Sequence, residues 1–151
     1  MRLLLRLFAI VTSLIFLLVL ATPLLLYQWG LSNVEGRPLR PTHMADAAEQ
    51  ARIWKQAGGD GTAAVDAMNP YGFFVRFFAD SGRTTPGETV AYWIARSYLP
   101  EHRREPGMAA WHVSVAALTI WLTRNWSTEE ILTVASQAVS ADRREPMKTP
   151  K

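Results

Sequence analysis

The chain has 151 residues and a formal net charge of +3, which suits one domain and not two. It contains no cysteine, so a disulfide framework and every thiolate site are excluded, and its three histidines, His43, His102 and His112, share no metal-ligand spacing. The basic excess sits at the start: after Trp29 only Arg and Lys in near balance with Asp and Glu remain, which argues against a nucleic-acid surface, and no cofactor motif is present.

Leu7 to Trp29 runs 23 residues without a charge. A helix of that length, rising about 1.5 Å per residue, spans a hydrocarbon core of roughly 30 Å. Arg2 and Arg6 flank one end, while Tyr27 and Trp29 sit at the other, where amphipathic rings favour the interface. Pro23 kinks such a helix without abolishing it. The competing reading is a cleaved signal peptide, with Val19 and Ala21 as small residues at the cut. The apolar run continues to Tyr27, past that site, and Pro23 would lie two residues after it, so residues 1–29 are read as an uncleaved transmembrane signal-anchor. A six-residue basic N-terminal tail stays inside. In a bacterium this makes the protein a single-pass inner-membrane protein with its C-terminal domain in the periplasm.

Residues 30–41 contain Gly36, Pro38 and Pro41 and read as an extended linker. Helix signals then recur to residue 141, and no stretch alternates as a strand does. Thr42 caps a helix to about Ala57, with Met44, Ala48, Ala51 and Trp54 on its inner face. Asn69-Pro70 is a cap followed by proline at the first helical position and opens a short helix that stops near Ser81-Gly82. Four phenylalanines in six residues, Phe73, Phe74, Phe77 and Phe78, cannot all face inward on that helix, so with Tyr71 they are read as candidates for lipid or partner contact, some exposed while others join the core.

Thr85-Pro86-Gly87-Glu88 is a capping box, starting a helix that ends near Tyr98, before Pro100, with Val90, Trp93, Ile94 and Ser97 inward. Met108, Trp111, Val115, Leu118 and Leu122 mark a helix from Gly107 to Arg124, too short to cross a bilayer and therefore a buried central helix. Ser127-Thr128-Glu129-Glu130 is a second capping box, with Trp126 and Ile131 as a hydrophobic staple. Residues 142–151 are basic and proline-containing and read as a disordered tail. The expected architecture is all-α: one transmembrane helix followed by a small extracytoplasmic bundle of about five helices, with Trp54, Trp93, Trp111, Trp121 and the phenylalanines of 73–78 in its core.

The segment Gly87-Glu88-Thr89-Val90-Ala91-Tyr92-Trp93-Ile94-Ala95-Arg96-Ser97-Tyr98-Leu99 resembles the G-S-T-I-T-Q-Q-L-A-K-N-L-F stretch of the peptidoglycan glycosyltransferases of family 51. Leu118 to Leu132 resembles that family's A-x-x-L-E-x-x-x-S-K-D-E-I-L stretch, and Arg76 to Gly82 looks like R-F-Y-x-H-x-G of its first catalytic motif. These matches cover residues 70–137. The resemblance implies a helical transglycosylase-like domain working in cell-envelope synthesis, with a lipid-linked peptidoglycan precursor or a cell-wall synthase as partner beside the lipid bilayer. It also implies contacts to a lipid pyrophosphate at Arg96, Thr89 and Gly87.

The same register removes the chemistry. The family's Glu-Asp pair, which supplies the general base, falls on Phe73 and Phe74, which accept no proton. Its second glutamate falls on Val115, the Arg and Lys before it on Trp111 and His112, the paired glutamines on Tyr92 and Trp93, and Y-L-N on Val134-Ala135-Ser136. No catalytic residue is assigned. The expectation is a binding or regulatory protein. Two alternatives stand beside it: an accessory subunit of an inner-membrane complex, and an active glycosyltransferase using Asp66, Asp80 or Glu88. His112 is read as a core-edge histidine, the charged run 101–105 as a solvated loop, and Glu129 and Glu130 as capping residues.

Overall fold

The computed structural model of the protein describes residues 2–73 and 84–144. They form an all-helical structure with one long apolar N-terminal helix and a smaller helical bundle. Helix α1 spans Arg2–Ser32, α2 Ala47–Gln56, α3 Pro86–His102, α4 Met108–Asn125 and α5 Thr128–Arg144. Residues 70–73 open a further helical turn, with Asn69 as its cap: Phe73 N–H donates to Asn69 O at 2.9 Å and Tyr71 N–H to Asn69 Oδ1 at 3.0 Å. The remainder of the short helix, with Phe74, Phe77 and Phe78, lies outside the described residues, as does most of the basic tail.

The helices pack in the order α1, α4, α3, α5, α2. Val90, Ala91, Ile94 and Leu99 of α3 meet Val115, Leu118 and Leu122 of α4 on one side and Ile131, Leu132 and Ala135 of α5 on the other. Ile53 and Trp54 of α2 close the far side. Helix α4, lying between α1 and α3, is buried on most of its circumference, as its composition predicts. Its interior hydroxyls are satisfied within the helix: Thr119 Oγ1 donates to Val115 O at 2.8 Å, and Thr123 Oγ1 to Ile120 O at 3.0 Å.

Both capping boxes start helices where the sequence places them. The Thr85 hydroxyl accepts from Glu88 N–H at 3.2 Å. At α5, Ser127 Oγ accepts from Glu130 N–H at 3.2 Å, and the Glu130 carboxylate accepts from Ser127 N–H at 2.8 Å. Glu129, exposed in the same turn, is held below the usual carboxylate range by its own backbone N–H and then by the Ser127 hydroxyl. Its ionised form is therefore favoured in the fold, so it supports folding above the ordinary carboxylate pKa and loses that support as pH falls toward the lower folded value. Urea denaturation near pH 7 and near pH 3 is expected to show a larger acid-induced loss for the wild type than for Glu129→Gln.

Four local expectations need correction. Helix α2 begins at Ala47, capped by Asp46 Oδ1, which accepts from Glu49 N–H at 2.7 Å, so Thr42 is not its cap. Its inner face is Ile53 and Trp54; Met44, Ala48 and Ala51 are exposed. Helix α3 continues through Pro100 to His102, because the chain must still carry Leu99 into the core and bring His102 O to Glu35 N–H. Of the tryptophans expected inside, Trp54 is buried, but Trp93, Trp111 and Trp121 are half-buried, and Trp126 takes the interior place. A ring carrying an N–H donor is readily left at the boundary of a core.

The largest difference is at the end of α1, the one described helix long and apolar enough to cross a membrane. Every residue from Leu4 to Leu20 is exposed, but Ala21, Pro23, Leu26 and Tyr27 are half-buried, and Gly30, Leu31, Asn33 and Val34 are buried. This 3-4 stripe lies along α4, so residues 30–34 are not a free linker. The Asn33 amide donates to Ser114 Oγ at 2.8 Å, its Oδ1 accepts from Glu105 N–H at 2.6 Å, and its backbone O accepts from Arg104 N–H at 2.9 Å. Gly30 sits against Val113 and Ala117. Earlier residues of α1 thus meet later residues of α4, and the two helices run antiparallel.

After Val34 the chain reverses. Glu35 N–H donates to His102 O at 2.6 Å, the Tyr98 hydroxyl donates to Glu35 O at 3.1 Å, and Pro38 is buried. Burial pushes the Tyr98 phenol up, with the Arg37 guanidinium opposing it. Arg40 then pairs with Glu130 at 2.9 Å and donates to Asn125 O at 2.6 Å, which brings the chain back to the C-terminal end of α4.

Candidate functional site

Helices α3 and α4 leave a groove of about 430 Å³ between them on the side away from α5. Glu88, Thr89, Tyr92 and Trp93 line it from α3, while His112, Val115, Ala116 and Thr119 line it from α4, with Phe73 and Thr84 at one end. Its size suits a drug-sized or chain-like ligand. The threonine hydroxyls on its helical walls are already engaged: Thr89 Oγ1 donates to Thr85 O at 3.1 Å, and Thr119 Oγ1 to Val115 O. What faces the space is therefore mostly aliphatic and aromatic, with Glu88 as the one carboxylate among its described lining residues.

This groove gathers positions that are far apart in the sequence. Of the positions that the resemblance singles out, Phe73, Tyr92, Trp93, His112 and Val115 line it, whereas Trp111, Val134, Ala135 and Ser136 do not, and Phe74 lies outside the described residues. Thr89 lines it too. Arg96 does not: it is exposed on α3 about one turn beyond Trp93, on the same side of the helix, and makes no hydrogen bond or ion pair among the described residues. Gly87 does not line the groove either. It is buried, and a Cβ there would come within 3.2 Å of Val65, so its role is to let the 63–68 segment lie close on α3. That segment is pinned by Val65 N–H to Thr128 Oγ1 and Met68 N–H to Thr123 Oγ1, both at 3.1 Å.

Tyr71 is exposed, whereas Phe73 is half-buried and lines the groove. Of the candidate carboxylates, Asp66 is exposed and outside the groove, Glu88 lines it, and Asp80 lies outside the described residues. Among the described residues no three His, Asp or Glu side chains come together to hold a metal ion.

No protein-family model, curated protein or solved structure matches this chain.

Sequence reasoning missed Ala116 and Thr119, the small residues that form the groove floor. Their signal was present: on the apolar helix α4, His112, Ala116 and Thr119 recur at 3-4 spacing, a small and polar stripe beside the Val115, Leu118 and Leu122 stripe.

Proposed function

We propose that this protein is a membrane-anchored, non-catalytic binding protein of cell-envelope synthesis, related to the peptidoglycan glycosyltransferases, whose α3–α4 groove holds the apolar chain of a lipid-linked saccharide precursor. The convergence of Phe73, Thr89, Tyr92, Trp93, His112 and Val115 on one apolar groove carries this reading. Its position supports it as well. Gly30 of α1 lies beside Val113 and Ala117, so Thr119 sits about 6 Å closer to the bilayer, level with Leu26 and Tyr27 at the end of the apolar span. A hydrocarbon chain leaving the membrane meets the groove at once. Arg96, one turn past Trp93, is the cation placed to take a pyrophosphate. With phenylalanine and valine where the family carries glutamates, the groove has no base in the family's positions. In a bacterium, the anchor holds this domain on the periplasmic face of the inner membrane.

The test is mass spectrometry of lipids co-purifying with the full-length protein from native membranes. Undecaprenyl-linked precursor is expected to be enriched over bulk lipid with the wild type and lost with Ala116→Trp, which fills the groove floor. Identical lipid profiles for the two proteins would refute the reading. The presence of Glu88 in the groove favours one second reading, an active glycosyltransferase using that carboxylate; polymer formation abolished by Glu88→Gln would establish it.

A further inference from the structure

The bilayer and the bundle divide α1 between them. Taking α1 as the membrane span, a hydrocarbon core of about 30 Å needs about 17–25 residues. The freely exposed part, Leu4–Leu20, supplies 17, with the Arg6 side chain reaching back to the headgroups. From Ala21 on, Ala21, Pro23 and Leu26 are packed on the bundle. Whatever part of the bundle lies beside Leu20 and Ala21 therefore lies at the depth where hydrocarbon gives way to headgroups.

The antiparallel pairing of α1 and α4 identifies that part. With Gly30 beside Val113 and Ala117, the end of α4 at Asn125 is about 15 Å nearer the membrane, abreast of Leu20 and Ala21. The reversed segment after Val34 ends at the same place, since Arg40 Nη2 donates to Asn125 O. Immediately before Arg40 stands Leu39, 89% exposed, more than any other large hydrophobic side chain described. Arg124 is exposed on the last turn of α4, with Nη1 donating to Met68 O at 3.3 Å, and the Arg40 side chain keeps 61% of its surface free despite its pair with Glu130. Acidic groups at this corner are Glu130, paired with Arg40, and the exposed Glu129.

We propose that the bundle is seated on the phospholipid bilayer through this corner: the Leu39 side chain inserts at the boundary between headgroups and hydrocarbon, and the Arg40 and Arg124 guanidinium groups bind lipid phosphates beside it. A leucine flanked by basic side chains gains by burying its apolar surface when the corner faces lipid, while the basic side chains meet the headgroups. The return of the chain from Glu35 to Arg40 is what delivers it there.

The chain has no cysteine, so single cysteines label cleanly. Leu39→Cys, Met108→Cys and Leu14→Cys, each on the full chain, carry a nitroxide in vesicles of phosphatidylcholine and phosphatidylglycerol at roughly 3:1. Collision with oxygen and with a water-soluble nickel chelate reports depth. Position 14 should be dry, position 108, 72% exposed at the far end of α4, fully wet. Nickel collision at position 39 should be at least about fivefold below that at 108, as for a side chain at the interface. A wet position 39 with a dry position 14 overturns the seating and leaves the membrane span standing; a wet position 14 overturns both. Adding Arg40→Gln and Arg124→Glu should raise nickel collision at position 39 toward the value at 108, and no change would overturn the role given to the phosphates.

Discussion

Replacing Gly30 with alanine is expected to destabilise the protein, and the sign of the effect is the informative part. In a free transmembrane helix or a flexible linker, Gly→Ala stabilises a helix by roughly 0.5–1 kcal/mol, because alanine loses less backbone entropy. In this protein a Cβ at position 30 would stand 2.5 Å from Val113 O and 2.7 Å from Ala117 Cβ. The carbonyl belongs to the α4 backbone and has no rotamer to retreat into, so α1 must move away from α4. Overpacking in a close-packed interior costs about 1–3 kcal/mol, and moving α1 also disturbs the hydrogen bonds of Asn33, whose buried amide and partners each lose about 1–3 kcal/mol when left unmatched. Thermal denaturation of the detergent-solubilised full chain, followed by tryptophan fluorescence, should show a clear drop in Tm for Gly30→Ala and a larger one for Gly30→Leu. A raised Tm for Gly30→Ala would mean that α1 does not pack on α4.

Leu118→Ala is expected to produce the largest loss among core truncations. Leu118 is fully buried at the centre of α4, in the cluster joined by Val90, Ile94 and Leu99 of α3. Neighbours on regular helices relax little into the space left, so the cost is about 2–5 kcal/mol, a large fraction of the roughly 5–15 kcal/mol that holds a domain of this size together. Guanidinium denaturation measures it directly. Met108→Ala on the same helix, where the side chain is largely exposed, should stay within about 0.5 kcal/mol of wild type. Equal losses at the two positions would contradict the packing of α4 between α1 and α3.

What the sequence made legible was the set of elements with local causes. Thr85 and Ser127 start helices because their hydroxyls reach the N–H of Glu88 and Glu130 within the same turn, and a spacing of three residues reveals that without any tertiary knowledge. The 3-4 pattern of Val115, Leu118 and Leu122 is equally local. The misread features depend on distant partners. Residues 30–34 look like part of a linker because Gly36, Pro38 and Pro41 follow them closely, yet Gly30 is the point of contact with α4, and Asn33 finds Ser114 and Glu105 more than seventy residues away. Helix α2 starts late because Asp46 competes successfully with Thr42 for the cap. The groove was half visible: its residues were marked as positions where family chemistry is missing, but only the hairpin of α3 and α4 shows that they share one cavity. The close packing of Gly87 on Val65 is not legible, because a glycine needed for close packing and one needed for ligand approach look alike in a sequence.

Where α1 spans a membrane, as proposed above, its fastening to α4 also makes bilayer thickness an input to this protein. A span joined to its domain by a flexible tether can tilt to match a thinner or thicker membrane without disturbing what it carries. Here the last turns of the span belong to the core, through Gly30, Leu31, Asn33 and Val34, so tilt of the helix is tilt of the whole domain. Membrane helices adjust to mismatch largely by tilting, typically by about 20°. Over the roughly 25 Å from Asn125 to the far end of α4, such a rotation swings His112 and Arg96 sideways by several ångströms relative to the lipid surface. Lipid composition would thereby set the angle at which the groove is presented to the membrane.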